Sequence, residues 1–502
     1  MKRLILLLII VFSVSMTTTV HANDIKLEDE IVYNIIIDRF YNGDQSLSEH
    51  VNVDDPYNYH GGDFVGISKK LDHLEALGFS TIVLSPIVDN ATAGFHGYWV
   101  EDFYNINENY GTLEQFNTLV EQAHERGIKV VVEFVFNYAA LTHPLVTDAA
   151  SKDWFKENEF VNDEKDDSLF WLENVVQFDQ QKEAVQDYLI NVAEHWMDEV
   201  NIDGFKLHAA DQADIQFLEK LTTMIKEKDP NFYLFANVLD TSSDITSLQE
   251  METIDAVENY AMYSAMTDVF GEVGTPITEL YETWKEASHP KDLLFTETKD
   301  TPRFANYVAI NDRNPLTAWK LALTYLYTTP GTPYMYQGNE LQMFGLEYPE
   351  TQQMMRFNST DPDLEEFHEK LSTMRQELPA LTSGEYAEVG VSGGLSVFSR
   401  TLDNETVYVA INNDEVMQDI TLTNIPDNKQ LRGLFADEIV RSNQEGEFII
   451  TLPREAIEVF IVQDNFGINW FYIAFVAAVF VVFFSAIIYL SRKQKLREQQ
   501  NK

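Results

Sequence analysis

From about Glu30 to Pro379 the chain alternates short β-branched and apolar runs with longer stretches whose apolar positions recur at helical spacing. Strand-like runs separated by amphipathic helices predict repeated strand–helix units around a parallel sheet. The runs are Ile31 to Ile37, Thr81 to Leu84, Lys129 to Phe136, Gly204 to Leu207, Tyr233 to Ala236, Ala256 to Asn259, Leu293 to Thr296 and Pro333 to Tyr336. Eight such runs predict an α/β fold, a closed (β/α)8 TIM barrel, over residues 23–382. The interval Ala139 to Phe178 breaks the rhythm, being acidic, rich in Trp and Phe, and longer than an ordinary connection. It predicts a small inserted domain after the third strand. From Ser383 the period falls to two, as in Thr406 to Ile411 and Glu447 to Leu452, with Asn, Asp and Gly turns between. That pattern predicts a C-terminal antiparallel β-sandwich over 383–464.

Both ends carry apolar runs of a different kind. Lys2 and Arg3 precede the run Leu4 to Val14, and Val20-His21-Ala22 supplies a small-residue cleavage site, so residues 1–22 read as a secretory signal peptide. Near the other end 468–490 is uncharged and apolar, edged by Trp470, Tyr472 and Tyr489, and followed by Arg492, Lys493, Lys495 and Arg497. This predicts a transmembrane helix with interfacial aromatics and a basic cytoplasmic tail over 491–502. The expected location is therefore the cell membrane, single-pass, with the N-terminal ectodomain outside.

Charge and cysteine content narrow the partners. Lys and Arg number 35 against 81 Asp and Glu, a net charge of −46, or about −52 once the signal and tail are set aside. Such a surface repels nucleic acid and favours a neutral ligand, and its simplest role is to keep an exported protein soluble. There is no cysteine, so an ectodomain of this size rests on its core without disulfides.

In a parallel barrel, functional residues gather where strands end. Those positions hold Asp38, Glu133, Asn137, His208, Asp211, Asn237, Glu258, Glu297, Lys299, Asp300 and Arg303. Around them stand longer motifs: Tyr59-His60-Gly61-Gly62-Asp63-Phe64, Leu77-Gly78-Phe79, Ser85-Pro86-Ile87, His96-Gly97-Tyr98-Trp99, Tyr110-Gly111-Thr112, Gly127-Ile128-Lys129, Asp300-Thr301-Pro302-Arg303 and Pro330-Gly331-Thr332-Pro333. These resemble the α-amylase family, glycoside hydrolase family 13, in order along the whole ectodomain. The resemblance is nearest to membrane-anchored neopullulanase-like and maltogenic-amylase-like members acting on α-1,4-glucans.

That resemblance implies retaining hydrolysis by a nucleophilic carboxylate and a carboxylic acid about 5 Å apart, with a third carboxylate gripping the sugar. The family's Gly-Phe-Arg-x-Asp motif places His208 at the nucleophile position and Lys206 at its Arg; Gly-Glu-Val places Asn237 at the general acid; Asn-His-Asp becomes Thr298-Lys299-Asp300, retaining Asp300 alone. An amide cannot donate a proton as an acid does, and each lost function is worth orders of magnitude in rate. Ordinary hydrolysis is therefore expected to be abolished or strongly impaired. Glu258, Glu297, Asp211 and Glu133 are the carboxylates that a rearranged active site would use.

The resemblance also implies sugar contacts at His96, Tyr98, Trp99, Lys206 and Arg303. Charge pairing offers Lys206 a second role, bound to Asp300 in a collapsed pocket. The loop Asn42, Asp44, Gly61 and Asp63, with Asn137, resembles oxygen-rich Ca²⁺ positions of the family, and hard oxygen donors suit that ion. The leading expectation is a pseudoenzyme that binds α-glucan or maltodextrin, or supports another membrane protein. Its rivals are an active hydrolase or transglycosylase with relocated carboxylates, and a structural partner of a transporter or wall enzyme.

Overall fold

The computed structural model describes residues 26–156, 167–359, 361–465 and 470–500. The predicted signal at 1–22 lies outside the described residues. Eight parallel strands close a barrel: β1 (Val32–Ile35), β2 (Thr81–Leu84), β3 (Lys129–Phe134), β4 (Gly204–Leu207), β5 (Tyr233–Ala236), β6 (Ala256–Glu258), β7 (Asp292–Leu294) and β8 (Thr332–Tyr336). Each pairs with its neighbours in sequence, and Val32 of β1 opposite Tyr334 of β8 completes the ring. All four residues of β2 are buried, as are all four of β4. A parallel sheet covered on both faces requires this, which is why these strands read as unbroken apolar runs.

The helices obey the 3.6-residue period. Leu113–Glu125 buries Phe116, Leu119, Val120 and Ala123 on one face. Thr112 and Gln115 cap its start reciprocally, satisfying donors that the first turn leaves free. Three strands end two residues short of expectation, β1 among them, which stops at Ile35. β3 stops at Phe134 and β7 at Leu294, so Val135, Phe136, Phe295 and Thr296 belong to the loops at the carboxyl ends of the strands, here called the mouth of the barrel.

Within the inserted segment Tyr138–Ala140, Val175–Phe178 and Phe155–Lys156 form a three-stranded antiparallel sheet. A 3₁₀ helix, Asp167–Asn174, precedes its last strand and brings Trp171 over the mouth. Past the barrel, a six-stranded antiparallel sheet and a two-stranded one (Gln418–Leu422 with Phe448–Leu452) enclose a second core of Leu395, Val397, Ala410, Ile420, Leu431, Phe448, Ile450 and Phe460. The helix Trp470–Gln500 follows. Its segment Ile473–Lys493 is long and apolar enough to cross a membrane, and among the described residues none of it is buried.

Candidate functional site

His208 follows β4 directly, and its amide donates to Phe134 O of β3 (3.0 Å). The next residue, Ala209, is left-handed at φ 50°, a conformation that costs a non-glycine residue energy and needs outside support. Two asparagines supply it. Asn137 Nδ2 donates to the carbonyls of His208 (3.1 Å) and Ala209 (2.7 Å), and Asn237 Oδ1 accepts from Ala209 N (2.9 Å). Asn237 then turns its amide nitrogen to Glu258 Oε2 at the end of β6 (2.8 Å). Asn237, expected from the resemblance to stand at the acid position, is thus a structural strut with both ends occupied.

Below it lies a buried charge network. Lys206 Nζ stands 3.0 Å from Glu258 Oε1 and 3.9 Å from Glu133 Oε2, and all three side chains are at most 2% exposed. Glu133 Oε1 also meets His208 Nδ1 (2.8 Å) and accepts from the Tyr98 hydroxyl (3.2 Å). Burial alone would raise the Glu133 carboxyl; the Lys206 ammonium and the His208 hydrogen bond outweigh it and hold the group at about 2. The same two carboxylates hold the Lys206 ammonium well above its ordinary value despite burial. For His208 burial dominates and lowers the imidazole, although Glu133 opposes it. A neutral His208 then donates from Nδ1, and its Nε2 is a buried acceptor without a partner among the described residues.

Aromatic rings close the top. Tyr98 stacks on His208 (centroids 4.4 Å, planes 22° apart) and on His96 (5.2 Å, 21°). Trp171, from the insert, lies 4.9 Å from Tyr98 and 5.2 Å from His208, and Trp99 Nε1 fixes its backbone by donating to Trp171 O (2.9 Å). His96, Tyr98, Trp171, Asn237 and His208 are all buried. The ring face that the sequence offers to a sugar is covered by the protein's own side chains.

Asp300, 18% exposed, sits at the rim bonded to the ammonium of Lys299, whose Nζ stands 5.0 Å from the Tyr98 ring. The expected Lys206–Asp300 pair does not form. Lys206 lies on a strand pointing into the barrel, where Glu133 and Glu258 are nearer partners, and Lys299 takes Asp300 instead. Arg303 is not brought to this group. It is fully buried and holds the mouth loops, donating to Glu297 (2.7 Å), Gln337 O (2.7 Å) and Thr351 O (3.0 Å). Each carboxylate named for a relocated site is engaged: Glu297 by Arg303 and Phe304 N, Asp211 by Leu239 N and Asp240 N, Glu133 and Glu258 by Lys206.

The candidate cation loop is knit by its own donors. Asp63 accepts from the amides of Gly43, Asp44 and Gly66; Asp44 accepts from Ser46 and Gln115; Asn137 Oδ1 accepts from Gln180. Gly61 is left-handed at φ 91°, with a Cβ there falling 2.6 Å from the Asn42 amide. Asn42 Oδ1 is a buried oxygen without a partner among the described residues. Calcium requires six to eight oxygens, and the oxygens held ready here do not fit that ion, so no step below passes through a metal.

Two features escaped the sequence. Trp171 was hidden among the insert's many aromatics, and the Glu133–Lys206–Glu258 network joins residues whose chemistry, taken singly, reads as catalytic. The only available sign was charge balance, since Lys206 stands where a buried cation needs partners.

Comparison with known proteins agrees with this architecture. The α-amylase catalytic-domain model matches residues 34–379 and the α-amylase C-terminal-domain model residues 384–460. The chain is 28% identical over 418 residues to a cyclomaltodextrinase of a Bacillus species, covering 78% of this chain and 73% of that one. It is 26% identical over 460 residues to the intracellular maltogenic amylase of Bacillus subtilis, covering 84% and 76%. Among solved structures, an Anoxybacillus α-amylase superposes with TM-score 0.83 at 35% identity, over 88% of this chain and all of that one. The α-amylase of Geobacillus thermoleovorans complexed with acarbose gives TM-score 0.80 at 33% identity, over the same shares. With barrel, insert and terminal sheet matched in one order, this chain belongs to the α-amylase family.

Proposed function

We propose that this protein is a non-hydrolytic, membrane-tethered member of the family that serves α-glucan handling outside the cell as an accessory protein. The observation that carries the reading is the state of His208 and Asn237. Both stand at the positions where the family's chemistry needs a nucleophile and an acid, and both are buried and spent on internal hydrogen bonds. Without a carboxylate pair flanking a glycosidic bond, the retaining route has neither attacking nor protonating group. The α-glucan assignment draws on the relatives, whose names include cyclomaltodextrinase and maltogenic amylase. The tether draws on the apolar helix Ile473–Lys493, and the inward tail on the basic residues after it.

A second reading, maltodextrin binding at the barrel mouth, is favoured by one feature. Asp300, the carboxylate retained from the family's set, is the member of the cluster that reaches solvent. The test uses full-length protein in a detergent without a maltose headgroup. Maltoheptaose and pullulan are expected to remain intact on prolonged incubation; measurable product overturns the proposal. Calorimetry with maltoheptaose separates the readings, since heat lost on Asp300→Ala supports mouth binding and no heat supports the accessory role alone. Protease or membrane-impermeant labelling of intact cells is expected to reach the barrel and spare the tail.

A further inference from the structure

The face that the ectodomain turns to the bilayer follows from where its chain leaves the C-terminal sheet. That sheet lies along the helix Pro315–Thr328, which descends from the mouth of the barrel to the start of β8 at Thr332. Near the mouth end of that helix, Arg313 binds Asn413 Oδ1 (2.7 Å) and Glu455 (3.0 Å). At the opposite end, the floor of the barrel, Arg400 donates to Thr328 O (2.7 Å) and Leu381 O (2.6 Å), while Ala380 N donates to Glu405 (2.8 Å). The strand Glu405–Asn412 therefore runs from floor towards mouth. The last strand, Ala456–Asp464, is antiparallel to it, with Ala456 opposite Asn412 and Ile461 opposite Val407. The chain thus reaches Asp464 at the floor, where Asn465 N donates to Asn428 O (2.8 Å).

Four residues, 466–469, separate Asn465 from the helix that begins at Trp470. Five Cα steps reach at most about 18 Å when fully extended. The eight-residue strand Glu405–Asn412 by itself spans about 23 Å from floor to mouth. The tether is thus shorter than the body it holds. We propose that the floor end of the barrel and C-terminal sheet is the surface this protein sets against the lipid bilayer, and that the mouth faces outward. The inference rests on the helix being a membrane anchor. Net charge of −46 adds a reason not to lie flat, because anionic lipid repels so acidic a body. Exposed Tyr57 and Phe344, on the loops after β1 and β8, then stand on the outward rim, where a partner arriving from beyond the membrane meets them.

The chain has no cysteine, so single labels can be placed without background. Asn404→Cys, in an exposed floor turn, and Phe344→Cys, 50% exposed at the mouth, each carry a donor dye on full-length protein in phosphatidylcholine vesicles whose headgroups carry an acceptor. Energy transfer is expected to be roughly twofold or more stronger from the floor label, given about 23 Å of strand between the two ends. Equal transfer, or stronger transfer from the mouth, overturns the orientation. Flotation with the vesicles is measured on the same samples. Protein that fails to float overturns the anchor itself, and the orientation with it; floating protein with reversed transfer overturns the orientation alone.

Discussion

Replacing Lys206 by Met removes the cation that lies between Glu133 and Glu258 and leaves a side chain of similar length. At an effective dielectric constant near 20, charges 3.0 and 3.9 Å apart attract by roughly 5 and 4 kcal/mol, before the cost of desolvation is subtracted. Breaking a buried pair by removing one partner costs about 3–5 kcal/mol net. The loss also has a ceiling, because the stranded glutamates can take up protons instead. At pH 7 that costs about 3 kcal/mol for each group with an unfolded value near 4.5, and at pH 5 under about 1 kcal/mol. The destabilisation by Lys206→Met is therefore expected to be about 4 kcal/mol at pH 7 and to shrink to about 1–2 kcal/mol at pH 5.

The direction of the pH effect reverses between the two proteins. In the wild type the Glu133 carboxyl is held at about 2, so its contribution is complete above the unfolded value and is lost as pH falls towards 2, roughly 3 kcal/mol in all. In the variant burial, no longer offset by the Lys206 charge, raises the Glu133 carboxyl, so its contribution is full below the unfolded value and is lost as pH rises. His208, lowered chiefly by burial, weakens both proteins as pH falls below the ordinary imidazole range; the Lys206 charge also lowers it, so its removal lessens that weakening in the variant and adds to the shrinkage of the difference at pH 5. Guanidinium unfolding of both proteins at pH 5 and pH 7 measures that difference. A destabilisation as large at pH 5 as at pH 7 would refute the view that Lys206 acts by pairing the two carboxylates.

Other perturbations probe the closed mouth. Trp171→Ala is expected to cost about 3–5 kcal/mol, the usual range for deleting a large buried ring, while uncovering Tyr98; unfolding midpoints and maltodextrin calorimetry together check it. Placing carboxylates there by His208→Asp with Asn237→Glu is expected to give no hydrolysis and a less stable fold, because it adds two negative groups to Glu133 and Glu258 and removes one of the two struts of Ala209. Turnover of maltoheptaose by that double variant would show that the mouth opens readily. Since the carboxylates of Asp44 and Asp63 already hold internal donors, millimolar Ca²⁺ or a chelator is expected to leave the melting temperature unchanged, and a Ca²⁺-dependent rise would show that the loop rearranges to take the ion.

The eight barrel strands, the insert, the terminal sheet and the apolar helix are all legible in the chain. Each is written in a local period of side chains: two for half-buried strands, unbroken for buried ones, and 3.6 for helices. The presence of His208 and Asn237 at the ends of the fourth and fifth strands is equally plain, since identity at a strand end needs no coordinates. What those residues do instead was decided by folding. Tyr98 meets His208 across more than one hundred positions, and Lys206 chooses Glu258 over Asp300 because β4 and β6 aim those two side chains into one barrel interior. Trp171 reaches the mouth only because the insert folds back over β3 and β4. A buried charge takes the partner that geometry puts within about 4 Å, and a cleft stays open only if no other side chain fills it. Neither condition is local in sequence, so the chain shows which residues stand at the strand ends, and only the tertiary contacts show that His208, Asn237 and Tyr98 are buried against one another's neighbours.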